Sequence, residues 1–371
     1  MSHVRLALLA VLLASTQAYG LLTLEGGKAQ VGVIGRASFN WDSNLFNNAN
    51  SEDDSYELLV AGITYDRNAG IIGVKGSAIW SFDFFNKFSS ENSADPELKL
   101  GFSKARGKTT GALEFTYHLS SQADDAANQR TRLAEFGTNL TVQYPLNQRF
   151  SLTSTTEVQK HGYKDIAFYD NDTFSESLDA FMAYTSKLDI FAGYRYRFTN
   201  AQGQPDTVDH AFTVGVRGKI LPKLDGTFRI GYQVRDIRQI DTGSLDGVTA
   251  SASFLWAPRS RILVSSQISK DFSTTSTALS SDGLAWFNQV QVTTSWRIAM
   301  TAGAGYSQSK YYSLSEHVRT DDRFYWQLGA SYPITTNINA EATFIHSENW
   351  STESFADYTK EFVSLGIAAK F

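Results

Sequence analysis

Residues 361–371 read E-F-V-S-L-G-I-A-A-K-F. Counted back by twos, Phe371, Ala369, Ile367, Leu365 and Val363 are apolar, and Lys370, Ala368, Gly366 and Ser364 between them are small or charged. A period of two is the mark of a strand with one apolar face. Half-buried strands of soluble sandwiches show it too, so the reading depends on whether the pattern repeats along the chain.

It does. From Lys28 onward one unit recurs: a strand, a polar loop, a second strand, a short turn. In Gln30–Trp41, residues Val31, Val33, Ala37, Phe39 and Trp41 share one face, and Gln30, Arg36, Ser38 and Asn40 share the other. The loop Asn44–Asp54 follows, then Tyr56–Tyr65, then the turn Asp66–Gly70. Continued to the end, this predicts nine hairpins and about 18 strands of roughly ten residues. Strands entering a short turn end in Tyr65, Phe102, Tyr144, Tyr184, Trp256, Trp296 and Tyr332. Such rings belong at a membrane interface, where one edge is wet and the rest apolar. Pro145, Pro222, Pro258 and Pro333 fall in or beside these turns, and Pro96 and Pro205 are assigned to long loops. The long loops themselves are read as Phe82–Glu97, His118–Glu135, Lys160–Ser177, Ser307–Asp322 and His346–Lys360, one of which is open to folding inward.

The expected fold is therefore all-β: a transmembrane antiparallel up-and-down barrel with short periplasmic turns, long extracellular loops and β-strands Gln30–Trp41 and Phe362–Phe371 paired to close it. A soluble β-helix or large sandwich is the structural alternative. The N-terminus supports export: Arg5 precedes the apolar run Leu6–Ala14, and Ala18-Tyr19-Gly20 supplies small residues for cleavage. Residues 1–20 are read as a signal peptide and 21–371 as the barrel. No later stretch approaches the ~18 apolar residues of a membrane helix, so insertion must use strands. The chain holds no cysteine and carries a net charge of −5, which argues against a nucleic-acid partner.

Catalytic chemistry is absent from the pattern. His118, His161, His210, His317 and His346 sit at outer strand ends or in loops, with no G-x-S-x-G or H-E-x-x-H around them. The acidic pairs Asp53-Asp54, Asp124-Asp125 and Asp321-Asp322 lack calcium-loop spacing. Neither a cofactor nor a metal site is expected. The informative chemistry lies opposite the lipid face. In Asp189–Phe198 the apolar set Ile190, Ala192, Tyr194, Tyr196 and Phe198 leaves Arg195 and Arg197 inward. Phe212, Val214 and Val216 outward leave Arg217 and Lys219 inward, and Phe228, Ile230, Tyr232 and Val234 outward leave Arg229, Gln233 and Arg235 inward. A cation on lipid at mid-depth costs about 2–4 kcal/mol, which fixes this parity. These seven residues are the predicted pore-lining basic strip, facing a ligand unless Asp189, Asp209, Glu114, Glu157 and Glu341 neutralise it.

The segments Y-R-Y-R-F-T-N (194–200), D-H-A-F-T-V-G-V-R-G (209–218) and L-P-K-L-D-G-T-F-R-I-G-Y-Q-V-R-D (221–236) resemble the β-barrel porin type 2 family. The last strand resembles the C-terminal signature of outer-membrane barrels, which makes Phe371 a candidate assembly signal. The resemblance implies residence in the bacterial outer membrane among lipid and lipopolysaccharide, and insertion by the assembly machinery of that membrane. Members often accompany exopolysaccharide genes, so a conduit for polysaccharide secretion, working with periplasmic export proteins, is the expected function. A general or anion-preferring diffusion porin is the alternative, and a barrel plugged by its loops is a third reading.

Overall fold

A computed structural model describes residues 22–24, 26–238 and 243–371; the expected signal peptide, 1–20, lies outside the described residues. A three-residue strand β1 (Leu22–Leu24) precedes the barrel. The wall follows in chain order as β2 (Ala29–Asp42), β3 (Asp54–Arg67), β4 (Gly73–Phe85), β5 (Ser93–Lys104), β6 (Thr110–Asp124), β7 (Gln129–Pro145), β8 (Phe150–Tyr163), β9 (Asn171–Thr185) and β10 (Leu188–Ala201). It continues through β11 (Thr207–Leu221), β12 (Leu224–Ile237), β13 (Ser244–Arg259), β14 (Ile262–Thr274), β15 (Ser280–Thr293), β16 (Ala299–Ser313), β17 (Glu316–Pro333), β18 (Ile338–Ser351) and β19 (Tyr358–Lys370). Each strand pairs antiparallel with its sequence neighbours, and β19 pairs with β2 from Phe362↔Asp42 to Lys370↔Ile34, closing 18 strands into one barrel. Closure is obligatory in lipid, where an open edge would leave backbone groups unsatisfied. Phe371 continues the seam: its N–H donates to the Val33 carbonyl and its carbonyl accepts from the Val33 N–H, both at 2.8 Å. Beyond it β1 takes over the same edge of β2, from Leu22↔Val31 to Leu24↔Ala29.

The alternation holds on every strand of the basic strip. Phe212 and Val214 are 66% and 58% exposed on the outer face, where lipid replaces water, while Asp209, Gln233 and Arg235 are buried on the inner one. The interior is thus a polar lumen rather than an apolar core, as expected of a barrel this wide.

Strand length is the main departure from expectation. The wall strands run 12 to 18 residues, and most of each segment read as a long loop is the outer part of a hairpin. Residues 119–124 and 129–135 are strand around a turn at 125–128, and 316–322 and 346–351 are strand as well. The longest connection at that end is 43–53. Above the lipid both faces of a strand meet water, so the apolar alternation vanishes while the backbone ladder continues. Pro96 is accordingly inside β5, opposite Trp80. Pairing on the other edge of β5 starts only at Glu97↔His118, so a residue without an N–H sits where one edge is free.

Candidate functional site: the lumen and its mouth

Every cation of the predicted basic strip has an acidic partner. Nearest the end with the short turns, Lys219 lies 3.6 Å from Asp225. Arg217 lies 3.1 Å from Asp189 and 3.9 Å above the Phe181 ring. Arg229 binds both oxygens of Asp179 at 2.9 and 2.7 Å, donates to Thr213 Oγ1 at 2.9 Å and covers Phe191 at 4.6 Å. That pair occupies the space over Gly193: a Cβ there would lie 1.9 Å from Asp179 Oδ1 and 3.1 Å from Arg229 Nη1, so only glycine leaves room for it.

Toward the other end the contacts reach beyond adjacent strands. Arg195 holds Asp271 of β14 through two bonds of 2.7 Å and donates to Gln233 Oε1 at 3.2 Å. Arg197 shares Asp271 and also binds Asp209 at 2.6 Å and the Phe272 carbonyl at 2.6 Å. Arg235 grips Asp209 at 2.6 and 2.8 Å and donates to the Ser273 carbonyl at 2.6 Å. Arg197, Asp209 and Arg235 stand directly opposite one another on β10, β11 and β12, a row of alternating charge. Bidentate guanidinium–carboxylate geometry of this kind is the strongest such pairing available.

Four guanidinium groups, Arg195, Arg197, Arg229 and Arg235, here share three carboxylates, Asp179, Asp209 and Asp271. They line a cavity of about 670 Å³ that Glu157, Gln159 and His161 also border. Among the described residues two buried donors in the cluster have no partner, Arg195 Nε and Gln233 Nε2. Of the acids expected to neutralise the strip, Asp189 and Asp209 do so. Glu341 pairs instead with Arg36 at 3.3 Å, and Glu157 accepts from Gln159. Asp179 and Asp271 are the additions. The inward parity of Asp179 was readable from its own strand, whereas the reach of Asp271 from β14 to β10 depends on wall curvature that no linear pattern encodes.

The mouth at the opposite end from Phe371 is narrowed by the hairpin of β6 and β7. Its arms stay paired with each other up to Asp124↔Gln129. Pairing with β5 stops at His118, and pairing with β8 stops at Leu133. The segment 119–132 therefore leaves the wall and crosses the opening. At its tip Arg319 donates to the Asp125 and Ala126 carbonyls at 2.7 and 3.0 Å, and Arg323 to Asp125 Oδ2 at 2.8 Å. Asn47 donates to Asp125 Oδ1 at 3.1 Å and Asn128 to the Asn47 carbonyl at 2.7 Å. Ser276, in the turn between β14 and β15, donates to Asp124 Oδ1 at 2.9 Å. The inward-folding element that the sequence left open is this hairpin. Loop 43–53, which it meets, is fastened outside by Lys87, whose bond to Asp53 holds that carboxyl below its ordinary range.

His118, His161, His210, His317 and His346 lie on different strands, and among the described residues no cluster has metal-ligand character. The lumen carries polar groups on its wall and is narrowed at its mouth.

No curated protein sequence matches the chain. Among solved structures, OpdK of Pseudomonas aeruginosa, crystallised with vanillate, shares 9% identity at a TM-score of 0.50, covering 92% of this chain and 99% of that one. OccAB4 of Acinetobacter baumannii shares 12% identity at a TM-score of 0.51, covering 92% and 98%. These likenesses are of fold. The family described as "Putative beta-barrel porin 2" matches residues 36–371. The chain belongs to that family and is a porin of the bacterial outer membrane.

Proposed function

We propose that this porin is a diffusion channel for small anionic solutes, the carboxylates foremost. The observation that carries the reading is the arginine cluster, in which guanidinium groups outnumber carboxylates along the wall of a cavity of small-molecule size. The hairpin across the mouth weighs the same way, because a secreted polymer needs a continuous open bore. The expectation of polysaccharide export rests on the family resemblance, and no feature of the lumen favours it. OpdK offers a precedent within the fold, since vanillate is an aromatic carboxylate.

In planar bilayers under a salt gradient, the wild-type reversal potential should show anion preference, stronger at low salt where screening is weak. Replacing Arg217 and Arg229 together by Gln removes two cations while leaving Asp189 and Asp179 in the wall, and should turn the channel toward cations. An unchanged reversal potential would refute the reading, as would passage of long polysaccharide chains into loaded liposomes.

A further inference from the structure

The upper arm of β14 is detached from the wall. Its pairing with β13 ends at Ala250↔Lys270, so Ser244–Thr249 and Asp271–Thr274 face no partner strand across that seam, although β14 stays paired with β15 up to Thr274↔Ser280. The detached arm leans into the lumen. Phe272 is in the outward register of β14, beside Lys270 and Ile268, yet is only 3% exposed. It lies 5.5 Å from the Arg235 guanidinium, and its ring tip is 4.0 Å from where a Cβ of Gly247 would be. The turn beyond it reaches Ser276 to Asp124 of the opposing hairpin.

What holds the arm inward is the basic cluster. Arg195 and Arg197 bind Asp271, Arg197 takes the Phe272 carbonyl, and Arg235 takes the Ser273 carbonyl and Ser280 Oγ at 3.3 Å. A free strand edge waits on the other side. Extending the register beyond Ala250↔Lys270 would place Val248 opposite Phe272 and Gly247 opposite Ser273, with Val248 and Phe272 both outward.

We propose that Arg195, Arg197 and Arg235 form an anion-operated latch: a solute carboxylate entering the cavity that these three side chains line with Asp271 competes with that acid for the guanidinium groups and frees the arm to zip onto Ser244–Thr249. Zipping satisfies the free edges of both strands, withdraws Ser276 from Asp124 and widens the mouth. The solute thus shifts a two-state element by its differential affinity for the released arginines. This rests on the anionic-solute reading and adds the regulation of the same site.

The chain has no native cysteine, and Gly247 has room for a Cβ. Gly247→Cys with Ser273→Cys therefore reports the zipped state as a disulfide formed under copper phenanthroline, in barrels whose folding is checked by heat-modifiable gel mobility. Crosslinking should be slow in sodium chloride and severalfold faster in sodium benzoate of equal ionic strength. Adding Asp271→Asn, which weakens the latch, should make it fast in both salts and raise conductance without benzoate. Equal rates in the two salts, or an Asp271→Asn variant that still crosslinks slowly, would overturn the latch. Anion preference read from the Arg217 and Arg229 pair is independent of this assay, so failure of the latch with preference intact leaves the channel reading standing, and loss of preference with a working latch does the reverse.

Discussion

Excising residues 120–131 and joining the arms by a two-glycine turn is expected to raise single-channel conductance severalfold while leaving the anion preference in place. The removed segment makes no ladder contact with the wall, because pairing with β5 and β8 has already ended at His118 and Leu133. The cut therefore costs the hydrogen bonds between the arms, the contacts of the tip, and the side-chain bonds of Ser121 to Asp95 and of Arg130 to Glu91. Arg319 keeps its bond to Asp321 on its own strand, so no buried guanidinium is orphaned. Arg323 loses Asp125 but is partly open to solvent, where an unpaired charge costs little. Eighteen paired strands outweigh these losses, and the variant should assemble. Exclusion of neutral polymers of graded size should shift to larger solutes in parallel with conductance. Unchanged conductance and exclusion would place the narrowest point deeper, at the arginine cluster.

How much of this was legible in the sequence follows from where the physics is periodic. Lipid imposes a strict two-residue alternation, and that alternation located the strands and the closing pair β2 and β19. Above the lipid the constraint disappears. Lys310 and Gln308 stand on the outer face of β16 with Ser309 and Ser307 on the other, a sequence that looks like loop although each residue sits in the ladder with β17. The same blindness hid Pro96 inside β5. Contacts across the lumen were illegible for a different reason: Arg195 and Asp271 are 76 positions apart, and only the curvature of the wall and the inward lean of β14 bring them together. The row Arg197, Asp209, Arg235 lies between, since its three members were expected to face inward but their registration needed the ladder.

That row supplies the largest expected effect on stability. Asp209 and the Arg235 side chain are each 1% exposed, and Asp209 accepts three hydrogen bonds from Arg197 and Arg235. Asp209→Leu would strand two guanidinium groups, one of them fully enclosed, and should destabilise the barrel by about 3–5 kcal/mol, the cost of breaking a buried ion pair by removing one partner. Replacing the whole row, Arg197→Met with Asp209→Leu and Arg235→Met, removes the charges together and should recover most of that loss, because apolar groups of similar volume commonly match a buried charged triad. Denaturant midpoints in detergent micelles would measure both. The triple variant carries a second signature: without Arg197 and Arg235 the Phe272 and Ser273 carbonyls lose their donors, so the β14 arm, then held inward by Arg195 on Asp271 and by Ser276, should loosen even though stability returns. Stability and arm position would then separate, showing that the row's charges hold a conformation rather than the fold. A single Asp209→Leu variant within about 1 kcal/mol of wild type, the range of an ordinary surface change, would mean that water reaches the row and that its burial does not set its energetics.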